Sequence, residues 1–440
     1  MKNKMTYKIY LESLGCAKNL VDSEVMLGFL LAEGYTLTNL PEEAEIIIVN
    51  TCSFVEDAVK EAVESIYTLA REKETGICQY LVVCGCLPQR YGKDLLVEMP
   101  EVDLFLGTGE FQCIVSHLDV LIHGHVSDRM LIDGLTFLMG DKTPRSLIAP
   151  GSSAYLKISE GCSHKCTYCT IPSIRGKYQQ RNISSVLKEA ELLAGQGIEE
   201  VNLVAQDTSR FKGLGTLLKK MSRLDGIRWI RLLYCHPLNM SDALINVIAE
   251  EEKVCSYIDI PLQHIADPVL KRMGRQMTRK DTEELILKMK EHIPDVALRT
   301  TMIVGFPGET EKDFEALLKF AKDTEFDSLG AFIYSDEEGT PASRLKNKVE
   351  EKVKKRRFQE LMKLQSGISR KKNGLRKGSE MEVLVEGISV NKNYLLQGRT
   401  FFQAPEVDGV VYLNDNVPIG SFVNVKITRS LTYDLIGKVV

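Results

Sequence analysis

The chain lacks the features that commit a protein to a membrane or to export. Its longest unbroken apolar stretch, Val25–Ala32, has eight residues, far short of the ~20 that a spanning helix needs. Met1–Glu12 has neither the apolar core nor the small-residue cleavage pattern of a secretory leader. No long-period repeat and no low-complexity tract is present. Charge of one sign is also missing: the net is −4 over 440 residues, so nucleic-acid affinity would have to come from a local patch. A cytoplasmic enzyme without a membrane partner is the expectation.

At 440 residues, 44% hydrophobic and 26% charged, the chain is ordinary globular material too long for one core, and two or three domains are expected. Its 11 cysteines are too few for a disulfide scaffold of this length and are expected to be thiols or metal ligands.

Three segments differ in rhythm. In residues 1–145, Lys8–Leu14, Glu45–Asn50, Tyr80–Val83 and Asp103–Leu106 read as strands, with helices over Asp22–Ala32 and Val55–Arg71. This βαβ alternation predicts a parallel, flavodoxin-like α/β sheet covered on both faces. After a linker rich in Pro, Gly and Ser, residues 150–340 give six more β/α units, from Tyr155–Ile158 to Leu329–Tyr334. They fit a partial (β/α) barrel, with a flat doubly wound sheet as the alternative. Residues 341–378 carry 14 Lys and Arg against 3 acids, with a helix over Val349–Ser369. Residues 379–440 break into short alternating runs, the pattern of a small all-β barrel.

Cys162, Cys166 and Cys169 form a CxxxCxxC run just past a strand. A structural zinc site and a cubane [4Fe–4S] cluster both normally take four protein ligands. Three leave one iron open to a ligand that is not protein. His164 would complete a zinc site only with strain, since it lies inside the short loop. With Tyr168 before the last cysteine, the run resembles the radical S-adenosylmethionine signature. The resemblance implies a cluster on these three cysteines whose open iron binds S-adenosylmethionine. It also implies polar contacts from Gln206 and Asp207 at the end of the second barrel strand, and backbone contacts to the adenine from Gly305, Pro307 and Gly308 at the end of the fifth. Thr310-x-x-Asp313 offers a plainer use for those glycines, as the turn from strand into a capped helix.

Cys16, Cys52 and Cys86 each follow a strand of the first segment, 36 and 34 residues apart. Successive parallel strands end on one edge, where ligands bind, so the three thiols can meet. Cys84 is a rival to Cys86 and would share its face if the strand ran through both. The words Ser13-Leu14-Gly15-Cys16-Ala17-Lys18-Asn19, Asn50-Thr51-Cys52-Ser53-Phe54 and Gly85-Cys86-Leu87-Pro88 resemble the methylthiotransferase family over essentially the whole chain. That implies a second [4Fe–4S] cluster on Cys16, Cys52 and Cys86, and a C-terminal TRAM barrel. Cys78, Cys84, Cys113, Cys235 and Cys255 are left as structural.

Two branches of that family compete, one modifying a transfer-RNA adenosine and one modifying a ribosomal protein. Residues 13–19 and the run Cys169–Tyr178 resemble the second. The implied target is the β-carbon of an aspartate in small-subunit ribosomal protein S-twelve. In that family one S-adenosylmethionine methylates a sulfur on the N-terminal cluster. A second yields a 5′-deoxyadenosyl radical that removes hydrogen from the target carbon, with flavodoxin or ferredoxin as electron donor. Residues 379–440 carry 5 basic and 7 acidic side chains, which suits a basic protein better than RNA. The basic stretch 341–378 reads as a solvated helix face, with rRNA contact as its other use.

Overall fold

The computed structural model describes residues 7–132, 134, 137–148 and 151–440, which fall into two units. The first holds the described residues up to Ile148 together with residues 159–164 and 169–181. Its sheet contains β1 (Lys8–Ser13), β2 (Thr36–Leu37), β3 (Ile46–Thr51), β4 (Tyr80–Gly85), β5 (Leu104–Leu106) and β6 (Met130–Leu131), all parallel, in the order 2-1-3-4-5-6. This is the flavodoxin-like order with one strand added. The apolar run Ile46-Ile47-Ile48-Val49 is buried throughout, as expected of a strand covered on both faces. Ile47, Val49, Leu81, Val83 and Phe105 pack against Ala62, Ile66 and Leu69 of the helix Glu56–Ala70.

In the second unit, β7 (Ser153–Lys157) opens a further sheet. The short strands that follow, β8 (Ser159–Glu160) and β9 (Gln179–Gln180), pair with each other and belong to the first unit. Then β10 (Glu200–Val204), β11 (Trp229–Leu232), β12 (Val254–Asp259), β13 (Ala297–Val304) and β14 (Ser328–Ile333) join β7 in chain order, parallel throughout. A doubly wound sheet would reverse its order at a switch point. This one does not, so the open (β/α) barrel is the architecture. The same unit ends in a closed barrel of β15 (Glu380–Ile388), β16 (Leu396–Arg399), β17 (Val411–Leu413), β18 (Phe422–Ser430) and β19 (Leu435–Val439). Among the described residues no helix is long and apolar enough to cross a membrane.

A buried charge cluster ties the two barrels of this unit together. Glu200, at the start of β10, accepts from Arg231 Nε at 3.0 Å and from Arg399 Nη2 at 2.5 Å, and all three side chains are fully buried. Arg399 also reaches Glu386 at 2.7 Å, and Arg231 donates to the Phe401 carbonyl at 2.5 Å. Trp229 meets Phe422 edge-on at 4.7 Å. Burial opposes ionisation of Glu200, but Arg399 and Arg231 hold its carboxyl at about 2, against an ordinary 4.5.

The acids of the C-terminal barrel are therefore not a free negative surface. Glu382 pairs with Arg228, Glu386 with Arg399, and Asp408 takes the Tyr257 hydroxyl at 2.7 Å while lying 3.4 Å from Arg299. With those three acids paired and Arg399 buried, four acids are left against four bases, and the acidic balance counted from the sequence disappears.

Removing one partner of a buried ion pair costs about 3–5 kcal/mol, so Arg399→Ala is expected to lower unfolding stability by that order in a urea titration. Because the Glu200 pKa is depressed, its contribution of about 3 kcal/mol is present above pH 4.5 and lost as pH falls towards about 2. Glu200→Gln should flatten that part of the stability curve.

Candidate functional site

The first constellation forms at the carboxyl edge of adjacent strands β1, β3 and β4. Ser13 pairs with Asn50, and Asn50 with Cys84, so the three strands end level. Cys16 caps the helix Ala17–Ala32, Cys52 directly follows β3, and Cys86 opens the helix Cys86–Tyr91. Gly15 has φ +94°, and a Cβ there would lie 2.5 Å from Cys52 Cβ. Gly85 has φ +97°, and its Cβ would lie 2.3 Å from Asn50 Oδ1. Both turns need glycine for conformation and for room.

A buried polar net supports the edge. The Asn19 amide donates to the carbonyls of Leu14 at 2.6 Å and of Asn50 and Thr51 at 3.3 Å. The Asn50 amide donates to Ser23 Oγ at 2.8 Å, and Thr51 Oγ1 to the Cys84 carbonyl at 2.6 Å.

The rivalry of Cys84 and Cys86 is resolved by the turn at Gly85. Cys84 still belongs to β4, is 1% exposed, and directs its sulfur to Met26 Sδ at 3.8 Å and the Val49 carbonyl at 3.6 Å. The strand ends before Cys86, whose sulfur instead faces Arg175 Nη2 at 3.6 Å. Burial pushes the Cys86 thiol up to about 12, with Arg175 opposing. Burial also raises Cys52, helped by its neighbour Cys16. At Cys16 burial acts upward, but Lys18, Arg175 and nearby backbone N–H groups outweigh it and lower the pKa. The three sulfurs thus sense one another and one guanidinium.

Of the CxxxCxxC loop, Cys162 and Cys169 belong to the first unit and Cys166 to the second. Gly161 has φ +76°, and the Cys162 N–H donates to the Gly176 carbonyl at 3.0 Å. In the second unit the Thr167 N–H donates to Met273 and its carbonyl accepts from Ala342. Tyr168 packs edge-on to Phe306 with centroids 6.4 Å apart, so it does meet the loop Gly305–Gly308. Arg275 places Nη1 3.9 Å from Cys166 Sγ and 2.7 Å from His236 Nε2.

The other expected contacts already have work within the fold. Gln206 is half-buried two residues beyond β10. Asp207 accepts from Arg210 N–H at 3.2 Å, Ser209 Oγ at 2.8 Å and Asn239 Nδ2 at 2.7 Å, shaping its own loop. The carbonyls of Pro307 and Gly308 accept from Arg272 at 3.0 and 2.8 Å, and the Gly308 N–H donates to Asn347. Thr310 and Asp313 form a capping box at the head of the helix Glu311–Thr324. Arg175, Arg275 and His236 were not singled out from the sequence. Arg175 stood inside a family word read only for branch; Arg275 and His236 carry no local motif.

Comparison with known proteins fits this layout. The Uncharacterized protein family UPF0004 matches residues 8–107, the Radical SAM superfamily residues 156–321 and the TRAM domain residues 378–440. Among solved structures, the radical S-adenosylmethionine methyltransferase TsrM from Kitasatospora setae, with cobalamin and a [4Fe-4S] cluster bound, shares the fold at TM-score 0.56 and 17% identity, over 77% of each chain. The family matches define a radical S-adenosylmethionine enzyme with a parallel α/β domain before its barrel and a TRAM barrel after it. Curated proteins named "Ribosomal protein uS12 methylthiotransferase RimO" align along the chain: 46% identical in Geotalea uraniireducens over 100% of both chains, and 44% in Clostridioides difficile over 98% of both. The chain belongs to the uS12 methylthiotransferase RimO family.

Gly15→Ala is expected to cost about 1–3 kcal/mol from the strained backbone alone, and to push Cys52 aside. A lowered melting temperature, together with reduced iron uptake after anaerobic reconstitution, is the measurement.

Proposed function

We propose that this chain adds a methylthio group to the β-carbon of an aspartate in ribosomal protein uS12. The observation that carries the reading is identity of 44–46% along essentially the full length of proteins so named. Cys16, Cys52 and Cys86 would hold one [4Fe–4S] cluster, and Cys162, Cys166 and Cys169 the other. The donor sets fit: each has three thiols, an arginine lies within 4 Å of one sulfur in each, and Cys84, the nearest spare thiol, points into the core. When bound, the clusters and S-adenosylmethionine supply the methyl transfer and the radical step that an unactivated carbon requires.

The chain's own groups position this chemistry. Arg275 braces Cys166, and Tyr168 anchors the cysteine loop against Phe306. Gln206 is proposed to touch the cofactor directly, with Asp207 holding its loop in shape. The turn Gly305, Pro307, Gly308 is proposed to border the adenine, with its carbonyls held by Arg272. A one-electron donor of the flavodoxin or ferredoxin type and a cytoplasmic setting belong to the same reading. For rRNA, seven of the fourteen cations in residues 341–378 pair with carboxylates. The exposed Arg344, Lys346, Lys352, Lys355, Lys363, Arg370 and Lys377 remain for such a contact.

Mass spectrometry of uS12 from cells with and without this gene tests the reading: a methylthio increment on one aspartate is expected only with it. An unmodified uS12, or the increment on transfer RNA instead, would overturn it. Reconstituted protein should carry about 8 Fe per chain as two cubanes. Changing either cysteine triad to Ala should halve that. Cys84→Ser should keep both clusters, and Cys86→Ser should damage the N-terminal one in EPR.

A further inference from the structure

Arg175 ends the short helix Ile171–Arg175, six residues after Cys169, yet its guanidinium is spent on the other three-cysteine site of the first unit. It is 4% exposed. Nη1 donates to Asp22 Oδ2 at 2.5 Å, and Nη2 to Asn19 Oδ1 at 3.0 Å, with Cys86 Sγ at 3.6 Å. Glu160 stands 3.6 Å away. Asn19 and Asp22 lie on the helix that Cys16 caps, so that helix both carries a sulfur and aims the cation.

We propose that Arg175 is the charge-compensating partner of the N-terminal site: its guanidinium stabilises negative charge added there and raises the reduction potential of a cluster held by Cys16, Cys52 and Cys86. The inference rests on the reading of those cysteines as ligands. Three thiolates outweigh the 2+ charge of an oxidised cubane, and one-electron reduction adds another negative charge in a buried place. Hydrogen bonds to the sulfurs and nearby net charge set such potentials, and a buried guanidinium stays protonated. Facing it are Lys18, a second cation near Cys16, and the acids Asp22 and Glu160. An ordinary structural ion pair would need only Asp22. The Nη2 directed at sulfur is the part that pair leaves unexplained.

The test uses the full chain with Cys162, Cys166 and Cys169 changed to Ala, so that only the N-terminal site loads, with about 4 Fe expected. EPR-monitored redox titrations compare this parent with Arg175→Gln, Arg175→Lys and Asp22→Asn. The midpoint should move negative in Arg175→Gln and positive in Asp22→Asn, with Arg175→Lys close to the parent. Should Arg175→Gln lose its iron, retention in Arg175→Lys and the positive shift in Asp22→Asn still support the assignment. Unchanged potentials, shifts of one sign in both, or equal iron loss in Arg175→Lys and Arg175→Gln would overturn it. A parent without iron would instead refute the ligand reading.

Discussion

The level ending of β1, β3 and β4 is the constraint on which the N-terminal site depends. Parallel pairing in this register brings chain positions 16, 52 and 86 to one edge, although each is some thirty-five residues from the next. Register alone is not enough, because a cysteine two residues earlier, on β4, faces the core. The turn at Gly85 makes the difference between Cys84 and Cys86, and the absent Cβ of Gly15 lets Cys52 approach the first loop. Asn19, Asn50 and Thr51 then satisfy carbonyls that the strand ends leave buried. Those hydrogen bonds hold the edge rigid in a place where unpaired backbone groups would be costly.

Much of this was legible beforehand for physical reasons. Continuous β-branched runs marked β3 and the barrel strands, and strand-to-cysteine spacing marked the edge. The runs read in residues 379–440 lie within a few residues of the five barrel strands. What stayed hidden was everything set by long-range side-chain geometry. The helix after Cys16 begins at Ala17, five residues before the expected Asp22, with Cys16 at the N-cap position and no side-chain hydrogen bond to mark the start. Arg175 and Arg275 reach their sulfurs across 89 and 109 residues of chain, a separation at which no local pattern signals contact. The loop Gly305–Gly308 was open to two uses; the capping box is present, and Arg272 takes two of its carbonyls. Cofactor contact there would have to use other faces of the same turn.

The two cysteine sites share a device and differ in its setting. Each has a guanidinium within 4 Å of one sulfur. At Cys86 the arginine is flanked by the carboxylates of Asp22 and Glu160. At Cys166 the partners of Arg275 are a histidine ring nitrogen and the Pro261 carbonyl, both uncharged acceptors when the ring is neutral. The field of each cation on its sulfur is tempered by nearby carboxylates, Asp22 and Glu160 at Arg175 and Asp207 at Arg275. The same residue type therefore meets a cysteine sulfur in two different settings within one chain.

Charge counting was least informative at the C-terminal barrel, and the reason bears on substrate recognition. Glu382, Glu386 and Asp408 serve Arg228, Arg399, Arg299 and Tyr257, fastening the barrel to the strand ends of the larger one. An acidic total that is consumed internally cannot attract a basic protein. The basic helix Glu351–Leu375 is anchored by the same logic, since Arg357, Lys371, Lys372 and Arg376 answer Glu309, Glu325 and Asp327. The acidic balance of the barrel is thus neutralised by the fold, while seven cations of residues 341–378 stay exposed outside these ion pairs. Selection between a ribosomal protein and RNA then falls to shape and to the exposed charges left over, and salt should weaken recognition less than either sequence total suggests.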